Sequence, residues 1–423
     1  MANSFSKEER VAFEDILEGF NDALVLSRNV SVYRTDGTMM ERTNNVIWRP
    51  QPYIAQSYNG MDQTLNFTEF TQLSVPSTLG FQKSVPWIMD ALELRDALQE
   101  GRLGDAAKQK LASDVNLAVM NVAANLGSLV VRTTASAGSY DDVAACDTIM
   151  NEQGVQMFDR YLALSSRDYN GMAGNLAVAT RSFGNQISDE AYRRGFVGTV
   201  AGFQTYKFDY ANRIRGATGA DPTMDTQLAA GNYWVPVATS VAATGESANV
   251  DNRFQTVTVN STANLLAGDA ITIDGVVAVH HITKQSTGEL KTFRVVQVLS
   301  GTTCVITPPI ISAQGGTDAE LQYQNVIVTP SAAATVDRLN VDAAPINCFW
   351  QKDALELLPG RYAVPADAGA AVMRASTDQG IELVMQKQYD VNTMKTKYRL
   401  DCLFGVVNKQ PEMSGILLFG QTP

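Results

Sequence analysis

Residues 103–130 read LGDAAKQKLASDVNLAVMNVAANLGSLV, and this stretch decides the fold of the chain. Its apolar residues recur at gaps of three and four, which places them on one stripe of a helix: Leu111, Val115, Ala118, Val122, Leu126 and Leu129. Asp105 has the oxygen side chain that a helix start requires, and Gly127 is a typical helix stop. At about 1.5 Å per residue the helix would be roughly 40 Å long, which is unusual in a globular domain. It is either a buried core helix or a strut in the subunit of an assembly.

The composition is that of a folded protein. With 423 residues, 45% apolar and 18% charged, the chain is long enough for two or three domains. Its formal net charge of −11 disfavours sequence-specific nucleic-acid binding, because an acidic surface repels phosphate. The four cysteines form no CxxC pair, which disfavours a zinc ribbon and suits a reducing cytoplasm. No segment has the apolar length of a signal peptide or a membrane span, so we expect no membrane association.

The N-terminal segment, residues 1–28, has the pattern of an amphipathic helix. Ser6 and Glu9 have the spacing of a capping box, in which each side chain satisfies the other's backbone N–H. An apolar helical face follows: Phe13, Ile16, Leu17, Phe20 and Leu24. This face either packs on its own domain or docks on a neighbouring subunit.

Residues 49–85 differ in character because prolines interrupt any long helix. Asn59-Gly60 is a strong tight-turn signal, and residues 64–73 mix aromatic, Thr and apolar residues as strands do. A connection of this length without a helix is unusual inside a compact domain, so it predicts a loop that reaches outward. Phe67, Phe70 and Leu73 need a surface that covers them.

Residues 131–215 predict mixed α/β structure, with a helix at 188–194 and strand and turn at 195–208. Residues 216–340 predict a small all-β barrel inserted into another domain, behind a glycine-rich hinge at 216–219. Its predicted strands are residues 256–259, 270–273, 293–299, 304–307 and 324–328, with turns at Asp274-Gly275 and Ser300-Gly301. Helical patterns resume after Asn347, with a short helix at 353–358. Residues 381–386 fit either a strand or a helix, and residues 400–407 and 416–419 predict closing strands.

The sequence offers little chemistry. His280 and His281 are the only histidines, and neighbouring positions on a strand point to opposite faces, so they cannot easily share a metal. There is no nucleophile elbow, no P-loop and no dinucleotide-binding glycine motif. The acid pairs Asp141-Asp142 and Asp189-Glu190 fit turns and helix starts better than an acid/base couple. We therefore predict no catalytic residue, no cofactor and no metal site.

Several short stretches, in the same order along the chain, resemble the Lederbergvirus-type coat proteins, the major capsid proteins of short-tailed enteric phages. They are NVIWRP (45–50), ANLGSLV (124–130), EAYR (190–193), VAGF (200–203), VDNRF (250–254), NCFW (347–350) and GQT (420–422). The resemblance implies the α+β tailed-phage major capsid fold with an inserted all-β barrel domain. It divides the chain into an N-terminal arm (1–28), a capsid core (29–215), the inserted domain (216–340) and the rest of the core (341–423). Within the first part of the core, the extended loop is about 49–85, the spine helix about 103–130 and the axial region about 131–215.

The resemblance also implies function and partners. The expected role is a coat protein that forms hexamers and pentamers of an icosahedral head, enclosing double-stranded DNA without sequence-specific binding. A scaffolding protein and a portal take part during assembly in the host bacterial cytoplasm, and the product is the virion. In this family an inserted-domain loop bridges capsomers, and the extended loop lies over an adjacent subunit. The matching bridging loop is about 243–252. The predicted subunit-interface residues are Phe13, Ile16, Phe20, Phe67, Phe70, Leu73, Glu246 and Asp251.

Two other functions remain open from the residues. One is another phage structural protein, of the tail or of a decoration layer, in which the barrel is the functional part. The other, which the poor catalytic inventory disfavours, is an enzyme with a β-rich accessory domain. Self-assembly into large closed particles distinguishes a coat protein from both.

Overall fold

The computed structural model describes residues 5–34, 45–90, 97–179, 197–225, 234–364 and 370–422, apart from residues 53, 56, 58, 65, 66, 68, 137, 209 and 210. The chain divides into two compact units. The first unit comprises Met1–Ile47, Ser77–Met120 and Leu355–Val407, and the second comprises Trp48–Pro76, Asn121–Ala354 and Asn408–Pro423. Helices and sheets are mixed, so the predicted α+β class is confirmed.

The helices of the described residues are α1 (Lys7–Ala23), α2 (Ala97–Leu126), α3 (Tyr140–Glu152), α4 (Ser166–Ala179) and α5 (Asp318–Tyr323). The strands before the inserted segment are β1 (Ser31–Val32), β2 (Val46–Pro50), β3 (Ser74–Thr78), β4 (Phe81–Asp90), β5 (Leu129–Arg132), β6 (Arg160–Ser165), β7 (Thr199–Val200), β8 (Phe203–Phe208) and β9 (Arg213–Ile214). Those inside it are β10 (Thr239–Val241), β11 (Ser247–Asn249), β12 (Gln255–Thr258), β13 (Ala270–Val279), β14 (Ser286–Val298), β15 (Thr303–Thr307) and β16 (Val336–Arg338). The last strands are β17 (Ala344–Pro345), β18 (Asn347–Gln351), β19 (Leu355–Pro359), β20 (Ala371–Ser376), β21 (Glu382–Asp390), β22 (Lys395–Asn408) and β23 (Ser414–Leu418).

The first unit contains a six-stranded sheet in the order β1-β19-β22-β21-β20, with β4 also pairing with β22. The pairing of β4 with β22 is antiparallel and runs from Phe81 opposite Phe404 to Asp90 opposite Lys395. Trp87 stacks on Tyr398 with the ring centroids 5.6 Å apart, and such pairs stabilise a sheet beyond their hydrogen bonds.

The N-terminal helix α1 begins with the predicted capping box. Ser6 N donates to Glu9 Oε2 at 2.7 Å, and Glu9 N donates to Ser6 Oγ at 3.1 Å. The helix packs closely on α2, since a Cβ on Gly104 would lie 2.6 Å from Ile16 Cδ1. A side chain at this position would displace the Ile16 side chain, so the glycine favours the close approach of the two helices.

The long helix α2 has 30 residues and confirms the predicted helix, but both of its ends differ from the prediction. Asp105 lies inside the helix, where it pairs with Lys108 at 2.8 Å instead of capping a start. Leu129 lies in the next strand, β5, so the stripe ends before it. Gly127 does follow the last helical residue. A glycine is needed there for close packing and not for a left-handed turn. A Cβ there would lie 2.7 Å from Ala123 O and 3.0 Å from Gly415 N.

Burial along α2 follows the predicted stripe only in part. Leu111 and Val115 are fully buried, whereas Val122 and Leu126 are half-buried. Val119, which was not on the predicted stripe, is 0% exposed. Spacing fixes the direction in which a side chain points. Whether that side chain is buried depends on residues far away in the sequence.

The second unit contains a six-stranded sheet in the order β5-β23-β18-β6-β8-β7. Strands β6 and β8 pair in parallel, and α4 lies in the connection between them. Helix α3 begins with Ser139 and Asp142 in a capping box, as expected of the Asp141-Asp142 pair. A cluster of buried residues from the sheet and both helices forms the core, among them Val143, Leu162, Met172, Phe203 and Phe349.

The inserted segment forms an antiparallel five-stranded sheet in the order β12-β15-β14-β13-β16 around its own buried cluster. The segment 222–225 connects its two edges. Met224 N donates to Ala334 O at 2.8 Å, and Asp225 N donates to Thr258 O at 3.2 Å. The two edge strands β12 and β16 are thus joined through one segment, which gives the sheet the closed form of the predicted barrel.

Several predicted elements differ. The described part of residues 64–73 contains no strand, because Thr71 bonds to side chains instead of to a neighbouring strand. Asp274-Gly275 is not a turn but a bulge inside β13, where Gly275 has φ +77°. Residues 324–328 form only an isolated bridge, Ala278 with Val326. The predicted helix at 188–194 lies outside the described residues.

The C-terminal segment contains strands where helices were expected. Strand β18 begins at Asn347, and the predicted helix at 353–358 is a short 3₁₀ turn followed by β19. Leu355, Leu357 and Leu358 are all buried, so the strand is covered on both faces and lacks the alternation that identifies a strand. Residues 381–386 belong largely to strand β21, while β22 and β23 confirm the predicted closing strands.

Candidate assembly surfaces

The two ends of the inserted segment lie side by side in the second unit. Strand β9 pairs with β17, Ile214 opposite Ala344. The fully buried Asn340 donates through Nδ2 to Arg215 O at 2.8 Å and accepts from Ala270 N at 3.1 Å. A Cβ on Gly216 would lie 2.8 Å from Val341 O. The glycine expected to act as a hinge therefore allows the close approach of the two connections.

A buried polar network attaches the barrel to the core sheet within this unit. Lys291 Nζ lies 2.6 Å from Glu412 Oε1 and donates to Gln153 Oε1 at 2.6 Å. Asn325 Nδ2 donates to the same carboxylate oxygen at 3.1 Å, and His281 Nε2 lies 3.2 Å from Glu412 Oε2. The Lys291 side chain is 1% exposed and that of Glu412 is 11% exposed. Removing one partner of such a pair leaves an uncompensated buried charge.

The electrostatics of this network favour the ionised carboxylate. Burial alone would raise the pKa of Glu412, but the charges of His281 and Lys291 and their hydrogen bonds hold it well below the ordinary value. Lys284, nearby on the barrel, donates to Gln322 O at 2.8 Å, and burial lowers its pKa to about 8.

The hairpin β10–β11 carries the predicted bridging loop. All residues of both strands are exposed, and Glu246 lies in the exposed turn between them. Among the described residues, the side-chain hydrogen bonds that fasten the hairpin lie at its base. There, Asn252 accepts from Val237 N at 3.1 Å and donates to Val237 O at 2.8 Å. Because no core supports this hairpin, its exposed face is available to another molecule.

Asp251 occupies a different position from Glu246. It forms a bidentate pair with Arg253, with Nε to Oδ1 at 2.9 Å and Nη2 to Oδ2 at 2.6 Å. Arg253 Nη1 also donates to Asn408 O at 2.7 Å. Since both carboxylate oxygens are engaged inside the subunit, Asp251 stabilises the base of the hairpin. Sequence reasoning missed Arg253, although the two-residue spacing in VDNRF could have indicated the pair.

The extended loop is anchored at one end and exposed in its middle. Leu73 is 3% exposed and lies in a buried cluster with Ile311 and Tyr323 of its own chain. Tyr323 OH donates to Thr71 O at 2.8 Å. Phe67 is 87% exposed and Phe70 is 58% exposed. The prediction that Leu73 needs a neighbouring subunit is therefore corrected, because its own barrel segment covers it.

The apolar face of α1 is likewise covered within its own unit. Phe13 and Ile16 are each 5% exposed and Phe20 is 0% exposed, so the packing alternative holds and their assignment to a subunit interface is corrected. Glu9 ties the helix to the sheet: its carboxylate pairs with Lys387 and accepts from Tyr398 OH at 3.1 Å. Burial raises the pKa of Glu9, but the hydrogen bond from Lys387 and the other contacts outweigh it and lower the pKa.

In the part of the chain that the structure describes, no group of three or more His, Cys, Asp or Glu side chains is placed to hold a metal ion. Among the described helices, none is both long and apolar enough to cross a membrane. His280 and His281 have different surroundings. His280 Nδ1 accepts from Ile282 N at 3.2 Å, whereas His281 faces Glu412.

Comparison with known proteins gives a family match and several structural matches. The model of the family described as "P22 coat protein - gene protein 5" matches residues 1–420. The I-domain of the CUS-3 coat protein is 35% identical over 29% of this chain and 98% of its own, with a TM-score of 0.23. A structure from Mycobacterium phage Che8 is 9% identical over 93% of this chain and 90% of its own, with a TM-score of 0.45. The asymmetric unit of the bacteriophage PhiM1 mature capsid is 11% identical over 100% of this chain and 89% of its own, with a TM-score of 0.44. On the family match, which spans nearly the whole chain, this protein belongs to the P22 coat protein family.

Proposed function

We propose that this chain is the major capsid protein of a short-tailed, double-stranded-DNA phage of the Lederbergvirus type. It forms the hexamers and pentamers of an icosahedral head. The observation that carries the proposal is the coat-protein family match over residues 1–420. The protein acts as a structural subunit and not as an enzyme. Tail and decoration proteins remain the alternatives, and neither is favoured by a family match of this length.

Two exposed surfaces support assembly. The hairpin β10–β11 projects a polar turn with Glu246, and it is the candidate for the contact between capsomers. The extended loop exposes much of the surface of two large aromatic side chains, 87% for Phe67 and 58% for Phe70. We propose that an adjacent subunit covers them. Of the eight interface candidates from the sequence, Phe67, Phe70 and Glu246 keep this role.

The remaining partners follow from the same proposal. A scaffolding protein and a portal act with the subunit during assembly in the host bacterial cytoplasm, and the finished shell is part of the virion. The net charge of −11 per subunit, repeated over a shell, supports confinement of DNA without tight or sequence-specific binding.

The test is assembly of the full-length chain, expressed alone and together with the scaffolding protein of its phage. Sedimentation separates subunits from particles, and electron microscopy shows their form. We expect closed, roughly spherical shells. Tubes or rings would instead indicate a tail protein, and small oligomers that bind only to preformed heads would indicate a decoration protein.

A further inference from the structure

A cavity of about 490 Å³ lies in the second unit where the inserted segment joins the core. It is lined by β9, by the turn before β13 and by β14. Its polar lining residues are Asn125, Asn212, Arg213, Arg215, Asp269 and Arg294. None of these residues belongs to the exposed hairpin or to the extended loop, so the cavity is separate from the proposed assembly surfaces.

Arg294 is the unusual member of this lining. The residue is 0% exposed, and its Nη2 donates to Gly268 O at 2.8 Å. Its Nε and Nη1 have no hydrogen-bond partner in the described structure. A guanidinium carries five N–H donors, and leaving buried donors unsatisfied destabilises the protein. Burial lowers the pKa of Arg294 to about 10, so the group is still a cation at neutral pH. A fully buried cation with unused donors requires an acceptor.

The charged residues around Arg294 also favour the binding of an anion. Arg213 and Arg215 lie two residues apart and line the same cavity. Asp269 is the one carboxylate among the lining residues that the structure describes, and both of its oxygens are engaged. Oδ2 accepts from Leu266 N at 2.8 Å and Oδ1 accepts from Asn340 Nδ2 at 3.0 Å. Three arginines and one occupied carboxylate thus line the cavity, in a chain whose net charge is −11. Arg213 Nη2 donates to Ala343 O at 3.2 Å and Arg215 Nη2 to Thr218 Oγ1 at 3.4 Å, so their remaining donors are the ones open to a ligand.

We propose that this cavity is a binding site for a phosphate-class oxyanion. Planar guanidinium groups match the geometry of phosphate oxygens and bind them in pairs of hydrogen bonds. The oxyanion accepts from Nη1 of Arg294, one of its two unused donors, while Arg213 and Arg215 supply charge from the open side. The ion then bridges β14 of the barrel and the strand that enters the inserted segment, and it stabilises that junction.

The phosphate could come from free phosphate or from the backbone of DNA. Arg294 is completely buried, and a DNA duplex is too wide to bring a phosphate to it through a cavity of this size. We therefore assign the site to a small free oxyanion, with inorganic phosphate as the probe.

The experiment is isothermal titration of the full-length subunit with inorganic phosphate, in a buffer whose ionic strength is held constant with chloride. We expect saturable binding with one phosphate per subunit, and a Tm that rises with phosphate as mass action requires. Arg215→Gln, an exposed change, should weaken binding about tenfold or more, since one of the positive charges at the open side of the cavity is lost. Arg294→Met should abolish binding. Arg167→Gln, an exposed arginine outside the cavity, is the matched control and should bind like the unchanged protein.

Phosphate also stabilises proteins generally by exclusion from their surface, which is why the variants decide the outcome. Absence of saturable binding would overturn the proposal. So would equal affinity in Arg215→Gln and in the unchanged protein, a result that stands even if Arg294→Met does not fold. Displacement of the bound phosphate by a short DNA duplex would overturn the assignment to a free oxyanion.

Discussion

The inserted segment contains two regions that differ in burial, one buried and held by an ion pair and the other exposed. Where the barrel meets the core sheet, Lys291 and Glu412 form an ion pair with side chains only 1% and 11% exposed. In the hairpin β10–β11, all six strand residues are exposed, and ladder hydrogen bonds are their main internal contact. The first region fixes the position of the barrel, and the second leaves its surface free for a neighbour. Stability and assembly are therefore encoded by different residues and can be separated by mutation.

The largest difference in stability is expected when the same substitution, valine to aspartate, is made at a core position and at a hairpin position. Val119→Asp places a charge at a position of α2 that is 0% exposed, and we expect a loss of about 4 kcal/mol or more of unfolding free energy, with little soluble protein. Val241→Asp, at a position 70% exposed, should change it by less than about 0.5 kcal/mol. Urea unfolding of both variants measures the difference. Equal stability would show that α2 is not a core helix.

The next effect concerns the buried network. Glu412→Gln leaves Lys291 as an uncompensated buried charge, and we expect a loss of about 3–5 kcal/mol. The matched control is Glu246→Gln in the exposed turn of the hairpin, which should be neutral for stability. A Tm for Glu412→Gln within error of the unchanged protein would mean that the ion pair does not hold the barrel in place.

A smaller effect on the stability of the subunit is expected when the pH is lowered. The pKa of Glu412 is lowered in the folded state, from an ordinary value of 4.5, because the stabilising charges of His281 and Lys291 outweigh burial. Its stabilisation is therefore complete above about pH 4.5 and is lost as the pH falls further, by at most about 1.4 kcal/mol per pH unit. The urea midpoint should fall as the pH is lowered from about 4.5 to about 3. Glu412→Gln should show a shallower fall, and an equal slope in the two proteins would exclude Glu412 as the source.

The smallest effect on stability is expected in the extended loop, together with the largest effect on assembly. Phe70→Asp, at a position 58% exposed, should leave the Tm of the subunit nearly unchanged and block shell formation. Leu73→Asp, three residues further, should lower the Tm because Leu73 packs against Ile311 and Tyr323. Thermal melting and sedimentation of assembly products report the two properties separately. Normal shells from Phe70→Asp would show that the loop is not an interface.

Local patterns predicted the elements that are decided locally. The Ser6–Glu9 capping box, the long helix and four of the five predicted barrel strands depend on neighbouring residues, and the structure contains them. The helix expected at 353–358 is a strand because its leucines are covered on both faces, and the covering residues are distant in sequence. Asp274-Gly275 has the composition of a turn but lies within a long strand, as a bulge.

The candidate site shows the same limit. The exposure of Glu246 and Phe70 could be predicted from the sequence because exposure on a loop follows from local composition, and their role at an interface stays a prediction. The roles of Leu73 and Asp251 could not be predicted from the sequence. The residues that cover Leu73 are more than 200 residues away, and the pair of Asp251 with Arg253 requires one particular backbone geometry. Lys291 and Glu412 gave no signal, because nothing in either neighbourhood indicates that they meet. Arg294 is an ordinary strand arginine in the sequence, and only its burial distinguishes it.

The pairing of β9 with β17 has a consequence for how the chain tolerates change. The entry and the exit of the inserted segment are hydrogen-bonded to each other. For the core, the barrel is therefore equivalent to a loop whose two ends are already held together. The entropy of closing a flexible loop grows only with the logarithm of its length, about 0.6 kcal/mol for each doubling. A core with this junction can carry inserts of very different size, or a short turn in their place, without changing the register of its own strands. The junction is thus a point at which a large domain can be gained, exchanged or lost while the shell-forming part of the subunit is kept.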